Sequence, residues 1–255
     1  MEKILNCIGI LLLFKVASVI CLRGNLTQFC NTNLCKGGRV HVACNNDLKI
    51  NSSCADYSEV FDLSPKIKQI ILNKHNAYRN HLALGKVPNF PPATRMATMR
   101  WNDELELMAE LNVKTCTGTH DSCRNTHNFK HSGQNIARRT TFKDTITLEN
   151  LEYNIYHGID RWFREHLICP RDGTVVFNEG KKKCGHFTVM IADRNTQVGC
   201  SIMHMKSEKT VFTCNYSWTN IRNAKLYIPG RAASQCKTGK NTQYPGLCSI
   251  NEKYP

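Results

Sequence analysis

Phe187-Thr188-Val189-Met190-Ile191, Val198-Gly199-Cys200-Ser201-Ile202-Met203-His204 and Val211-Phe212-Thr213-Cys214-Asn215-Tyr216 are three short runs rich in β-branched and aromatic residues. Polar, turn-like segments separate them, so all three are expected to be strands. Upstream, the spacing is helical. Ser64-Pro65 supplies an N-cap and a proline at the first helical position, and Ile67, Ile70, Ile71, Ala77, Tyr78 and Leu82 form an apolar stripe. Gly85 stands where a C-terminal cap belongs. Asn102-Asp103-Glu104 opens a second helix with its acids near the positive end of the dipole. Leu105, Met108, Ala109 and Asn112 share one of its faces, and it runs toward Cys116. Leu148, Leu151, Ile155, Ile159, Trp162, Phe163 and His166 set a third helix ending near Leu167. Helices and strands that mix without regular alternation indicate an α+β fold, helices covering an antiparallel sheet.

Around this centre lie two segments without periodicity. Residues 22–63 hold Cys30, Cys35, Cys44 and Cys54 among many Asn and Gly, and read as an arm of loops held by disulfides. From Gly230 to Pro255 the chain returns to Gly, Asn and Cys. The Val87–Pro92 segment between the first two helices is a Pro-rich loop.

Composition narrows the class. The chain has 255 residues, 14 of them cysteine, and its 41% hydrophobic content is too high for a disordered protein. So many thiols without a C-x-x-C pair argue against zinc ribbons and thioredoxin-type redox and for an oxidising compartment. At the N-terminus, Lys3 precedes the apolar run Ile8–Phe14, and Lys15 interrupts it. That run is too short to span a bilayer, which needs roughly 20 residues, but it suits a signal peptide. Cleavage after Ser18 would leave an odd thirteen cysteines, whereas cleavage after Cys21 leaves twelve. The expected organisation is a signal peptide at 1–21, the arm at 22–63, a core domain at 64–228 and a Cys-containing extension at 229–255. Of the sequons, Asn25 and Asn51 lie in loop-like sequence and are expected to carry glycans; Asn215 falls inside a strand pattern and is not.

The chemistry-bearing motifs are mostly absent. There is no G-x-S-x-G, H-E-x-x-H, G-x-x-x-x-G-K-[ST] or G-x-G-x-x-G. Ten histidines remain. His75 and His81 lie on a helix face, His166 ends a helix, and His41, His127 and His131 sit in polar loops. Taken singly, each is expected to be structural or solvated.

Four ordered motifs resemble those of the CAP superfamily, which groups cysteine-rich secretory proteins, antigen 5 and plant pathogenesis-related proteins. Cys184-Gly185-His186-Phe187-Thr188-Val189-Met190-Ile191 is similar to its first signature, and Val211–Ser217 to its second. His75-Asn76-Ala77-Tyr78-Arg79 resembles the first-helix motif, and Gly133-Gln134-Asn135-Ile136-Ala137 the short central strand. The ending Tyr244-Pro245-Gly246-Leu247-Cys248-Ser249 looks like insect antigen 5 (venom allergen-like) proteins, particularly those of flies. Ala192 and Trp218 depart from the signatures, which usually have Trp and Pro there. The resemblance implies a three-layer α-β-α sandwich with a shallow cleft. It places two histidines and two acids there, which fall on His120, Gln134, Glu165 and His186. Gln134 stands where the family usually has an acid, a change that insect antigen 5 proteins often share; it is neutral and cannot act as a base. No cofactor is required, although two converging imidazoles could hold a weakly bound divalent cation such as zinc. The antigen 5 pattern also implies disulfides Cys30–Cys44, Cys35–Cys123, Cys54–Cys116 and Cys200–Cys214, leaving Cys169–Cys184 and Cys236–Cys248.

The function so implied is a secreted, monomeric, non-enzymatic protein binding an extracellular lipid, small ligand or host or self protein. A metal-assisted hydrolase or protease using the histidine cleft is the alternative, and Gln134 subtracts from it. The net charge of +14 suggests a further partner class. With intracellular nucleic acid set aside by secretion, glycosaminoglycans of the heparin type, anionic membranes and extracellular nucleic acid remain, and a solvated basic face that only aids solubility is the favoured reading. The channel-directed cysteine-rich secretory proteins carry a separate C-terminal module, for which the 28 residues beyond Tyr227, with two cysteines, are too few. N-terminal sequencing of the secreted protein should begin at Leu22; a start at Val19 would refute the cleavage argued from cysteine parity.

Overall fold

A computed structural model of the chain describes residues 26–140, 145–169, 176–177, 184–206 and 209–254. The expected signal peptide and Asn25 lie outside the described residues. The sheet is made of β1 (Glu59–Val60), β2 (Arg100–Trp101), β3 (Gly133–Thr140), β4 (Gln197–Met205) and β5 (Lys209–Tyr216). The helices are α1 (Pro65–Ala83), α2 (Asp103–Val113), α3 (Leu148–Arg164) and α4 (Gly185–Ile191). β4 and β5 form an antiparallel hairpin with Cys200 opposite Cys214, and β3 adds antiparallel to the outer side of β5. The other side of β4 carries β1, antiparallel, and β2, parallel. α1, α3 and α4 pack together on one face of this sheet, while α2 packs on β4 and β5 from the other. The result is the three-layer α-β-α sandwich.

Helix starts follow local chemistry. The side chains of Ser64, Asn102 and Thr147 accept hydrogen bonds from the backbone N–H groups of Ile67, Leu105 and Asn150, capping α1, α2 and α3. Gly85 adopts φ +73° just beyond α1, a left-handed conformation that favours glycine. The third helix ends as α-helix at Arg164 and tightens into a 3-10 turn over Glu165–Leu167.

Three details depart from the sequence pattern. The run Phe187–Ile191, expected to be a strand, is the helix α4. Its preference is overridden from both ends. Glu165 accepts from the backbone N–H of His186 at 2.9 Å and of Phe187 at 3.2 Å, and the Arg79 guanidinium donates to the carbonyls of Met190 and Ala192 at 2.8 Å each. A negative charge at the N-terminus and a positive one at the C-terminus both favour the helix. In α1, Ala77 is exposed, and the buried face instead takes in His75, Asn76 and Arg79. Apolarity alone misplaces that face because three of its inward positions are polar and hydrogen-bonded. Lastly, α2 is buried nearly all round, since the arm covers its outer side: Leu26, Phe29 and Leu34 pack on Leu107, Met108 and Leu111.

The four disulfides implied by the antigen 5 pattern are present, Cys30–Cys44, Cys35–Cys123, Cys54–Cys116 and Cys200–Cys214, and so are the two left by elimination, Cys169–Cys184 and Cys236–Cys248. The irregular tail is docked rather than loose. Cys248 N–H donates to the Met96 carbonyl at 2.8 Å, and buried Glu252 takes a 2.5 Å bond from Arg95. Of the two described sequons, Asn51 is exposed and Asn215 fully buried on β5. Among the described residues no helix is long and apolar enough to cross a membrane.

α2 comes so near to β4 that Gly199 has no room for a side chain. A Cβ there would lie 2.2 Å from the Glu106 backbone nitrogen and 2.4 Å from the Asn102 carbonyl oxygen. Gly199→Ala should therefore destabilise by about 1–3 kcal/mol or more through overpacking. Denaturant unfolding checks this, and unchanged stability would show that α2 can shift away from the sheet.

Candidate functional site

Successive residues of a strand point to opposite faces, so Gln134 and Asn135 on β3 reach in opposite directions. Gln134 Nε2 donates to Asp121 Oδ2 at 2.6 Å, which turns Oε1 toward His120 Nδ1 at 2.8 Å. Asn135 Nδ2 donates to the backbone carbonyl of His186 at 3.0 Å and to the Tyr216 hydroxyl at 3.2 Å. The sheet-edge strand β3 thus holds His120 on one side and the start of α4 on the other.

The tautomers follow from the partners. An amide oxygen can only accept, so His120 carries its proton on Nδ1 and, when neutral, leaves Nε2 as a lone-pair donor. His186 Nδ1 lies 2.6 Å from Glu165 Oε1, which assigns the same arrangement, and its ring stacks on Trp162 with centroids 6.1 Å apart. Although much of His120 faces solvent, partial burial of its ring holds its pKa below the usual imidazole value. The hydrogen bond to Gln134 opposes this, and the neighbouring Arg124 and His186 side chains add to it.

The four residues carried over from the family pattern therefore form two hydrogen-bonded pairs, His120–Gln134 and His186–Glu165. Their capacity for a metal is limited. Glu165 uses one oxygen on the His186 ring and the other on two backbone N–H groups, and Gln134 brings no charge. Among the described residues no three His, Cys, Asp or Glu side chains converge as metal ligands. Two neutral nitrogens without a spare carboxylate are an incomplete set for zinc, which takes three or four protein ligands.

Six of the other eight histidines divide as follows. His75 is fully buried: its Nδ1–H donates to the Ile71 carbonyl at 2.8 Å, and its Nε2 faces the Tyr216 hydroxyl at 2.9 Å. Burial lowers its pKa to about 4, so the ring is neutral at physiological pH. His41 is also structural, stacked on Phe29 and bonded to the Asn125 carbonyl. His81, His127 and His131 are exposed. His166 bonds the Phe163 carbonyl at the end of α3. Sequence reasoning gave no role to Asp121, the partner that orients Gln134. Its position next to His120 was the only signal.

The Cysteine-rich secretory protein family, CAP, matches residues 72–216. The chain belongs to the CAP family. That matched region contains His120, Gln134, Glu165 and His186 and runs from α1 to the end of β5. Among CAP relatives, the chain is 37% identical over 251 residues to Venom allergen-1 of Aedes albopictus, with 96% of this chain and 95% of that protein covered. It is also 37% identical over 217 residues to the Antigen 5 like allergen Cul n 1 of Culicoides nubeculosus, covering 80% and 94% of the two chains. The solved CAP structure of NaASP2 with Zn2+ superposes with a TM-score of 0.61 at 23% identity, over 77% of this chain and all of that one. BmVAL-1 gives 0.62 at 21% identity over 73% and 95%. At such identities the structures speak for the fold alone.

Within this CAP domain, Glu165 ties α3 to α4, whereas among the described residues the His120 side chain bonds only to Gln134. Glu165→Ala should lower stability by about 1.5–3 kcal/mol, the range of charge-assisted hydrogen bonds, and His120→Ala by clearly less. Thermal melting of both variants decides; equal losses would contradict the helix-anchoring role of Glu165.

Proposed function

We propose that this protein is a secreted, antigen 5-like CAP protein that acts by binding an extracellular lipid, small ligand or protein, and not by catalysis. One observation carries this: the cleft's one acid in the family pattern, Glu165, is fully engaged in holding α4 and His186. A general base needs a free lone pair within reach of a proton to be abstracted, and a nucleophile needs such a base beside it. Glu165 has neither freedom, Gln134 has no basicity, and the two imidazole Nε2 atoms lack an adjacent Ser, Thr or Cys partner among the hydrogen bonds of the described residues. Those Nε2 atoms can still meet a polar ligand group or weakly hold a divalent cation. Secretion is supported by the twelve paired cysteines and by relatives named as allergens.

The purified secreted protein should show no peptide or ester hydrolysis, with or without added zinc, that His186→Ala removes. Hydrolysis that is zinc-dependent and abolished in both His186→Ala and His120→Ala would replace the binding role with a metal-assisted hydrolase.

A further inference from the structure

Beside the cleft, but separate from His120, Glu165 and His186, a groove of about 660 Å³ runs between the N-terminal arm and the 121–132 segment. Its size is that of a small-ligand site. The walls are fixed in advance of any ligand. Cys35–Cys123 joins them, Val42 N–H donates to the Cys123 carbonyl at 2.9 Å, and Asn125 Nδ2 donates to the Leu34 carbonyl at 2.8 Å. Fixed walls reduce the ordering cost of binding.

The charge in the groove is unbalanced. Its lining includes Lys36, Arg39, Arg124 and Lys130 against a single acid, Asp121. Asp121 is already saturated by Arg124, Asn112 and Gln134. Arg124 is occupied as well, donating to the carbonyls of Asp121 and Ser132. Its pKa is lowered, first by burial, with the charge of Arg39 adding to the effect. Lys36, Arg39 and Lys130 have no carboxylate within ion-pairing distance among the described residues. Arg39 spends only Nε, on the Lys36 carbonyl, so the rest of its fork remains open. Between these cations the lining offers the amides and hydroxyls of Asn31, Asn33, Ser122 and Thr219, groups suited to sugar hydroxyls.

We infer that this groove is an anion-binding site for a short saccharide bearing sulfate or phosphate esters, held by Lys36, Arg39 and Lys130. The reading gives the chain's excess of positive charge a defined place and goes beyond the role proposed for the cleft. Three cations on two walls can grip esters on neighbouring sugars, whereas a single free oxyanion meets them one or two at a time.

The test is calorimetric titration of the full secreted protein with a heparin-derived tetrasaccharide and, separately, with inorganic pyrophosphate. The variant K36Q/R39Q/K130Q is compared with R231Q/K237Q/K240Q, which removes the same charge from exposed tail positions. The expected result is one saturable site, weakened about tenfold or more in the groove variant and less than about threefold in the tail variant. The salt dependence should also flatten by about one unit of slope for each groove cation that is neutralised. Tighter binding of the tetrasaccharide assigns a saccharide ester as the ligand; equal binding of pyrophosphate assigns a lone oxyanion in the same groove. Equal losses in the two variants would overturn the site in favour of diffuse surface charge, and so would the absence of saturable binding by either probe. His186→Ala should leave the titration unchanged, which keeps this result independent of the cleft.

Discussion

Helix α4 is only seven residues long and has a strand-like composition, yet it carries His186 and packs between α1, α3 and β3. Two ionised side chains from other helices hold it. Glu165, just past α3, binds its first N–H groups, and Arg79, from the middle of α1, binds its last carbonyls. Arg79 is fully buried and also bonds the Ala97 carbonyl, so its donors are spread over carbonyls on two chain segments. A buried cation is tolerated only when its donors are satisfied in this way. The consequence is reciprocal. Arg79 can stay charged in the core because α4 ends there, and α4 stays helical because Arg79 is there. Burial draws the guanidinium pKa down to about 10, which still leaves it ionised at physiological pH.

From that clamp a polar chain crosses the interior: His75 to the Tyr216 hydroxyl, Tyr216 to Asn135, and Asn135 to the His186 carbonyl. It joins α1, β5, β3 and α4 with neutral groups, each of limited hydrogen-bonding capacity. Such a network fixes geometry more than it adds stability, because the alternative for each buried group is an unmet bond. It explains how His186 is placed within the cleft although its own helix is too short to persist alone. The opposite face works differently. There α2 is trapped between the sheet and the arm, with Gly199 allowing backbone contact and Cys35–Cys123 and Cys54–Cys116 closing the arm over it.

The long elements were legible in the sequence because one local signal sufficed for each. Ser64-Pro65 begins α1, the acids after Asn102 begin α2, and the strands β4 and β5 carry their apolar runs openly. α4 was not legible from composition. Thr188, Val189 and Ile191 favour a strand, and the charges that reverse the preference stand 21 or more residues in sequence from the groups they hold. The same cause hid the inward face of α1, where His75, Asn76 and Arg79 look like surface residues until their distant acceptors are known. The cleft residues were found through family motifs. Their pairing was not, since Asp121, which orients Gln134, has no pattern of its own.

That pairing decides what the cleft can do. An acid at position 134 would stand 2.6 Å from Asp121, and two carboxylates so near would compete for one proton. The glutamine amide resolves the conflict by donating to Asp121 and accepting from His120 at once. Asp121 is thereby shared between two places: it orients Gln134 in the cleft and anchors Arg124 in the wall of the basic groove. A neutral residue at 134 therefore does more than weaken attraction for a cation. It leaves Asp121, the one acid in the groove lining among the described residues, bound inward, so the groove presents its remaining cations uncompensated.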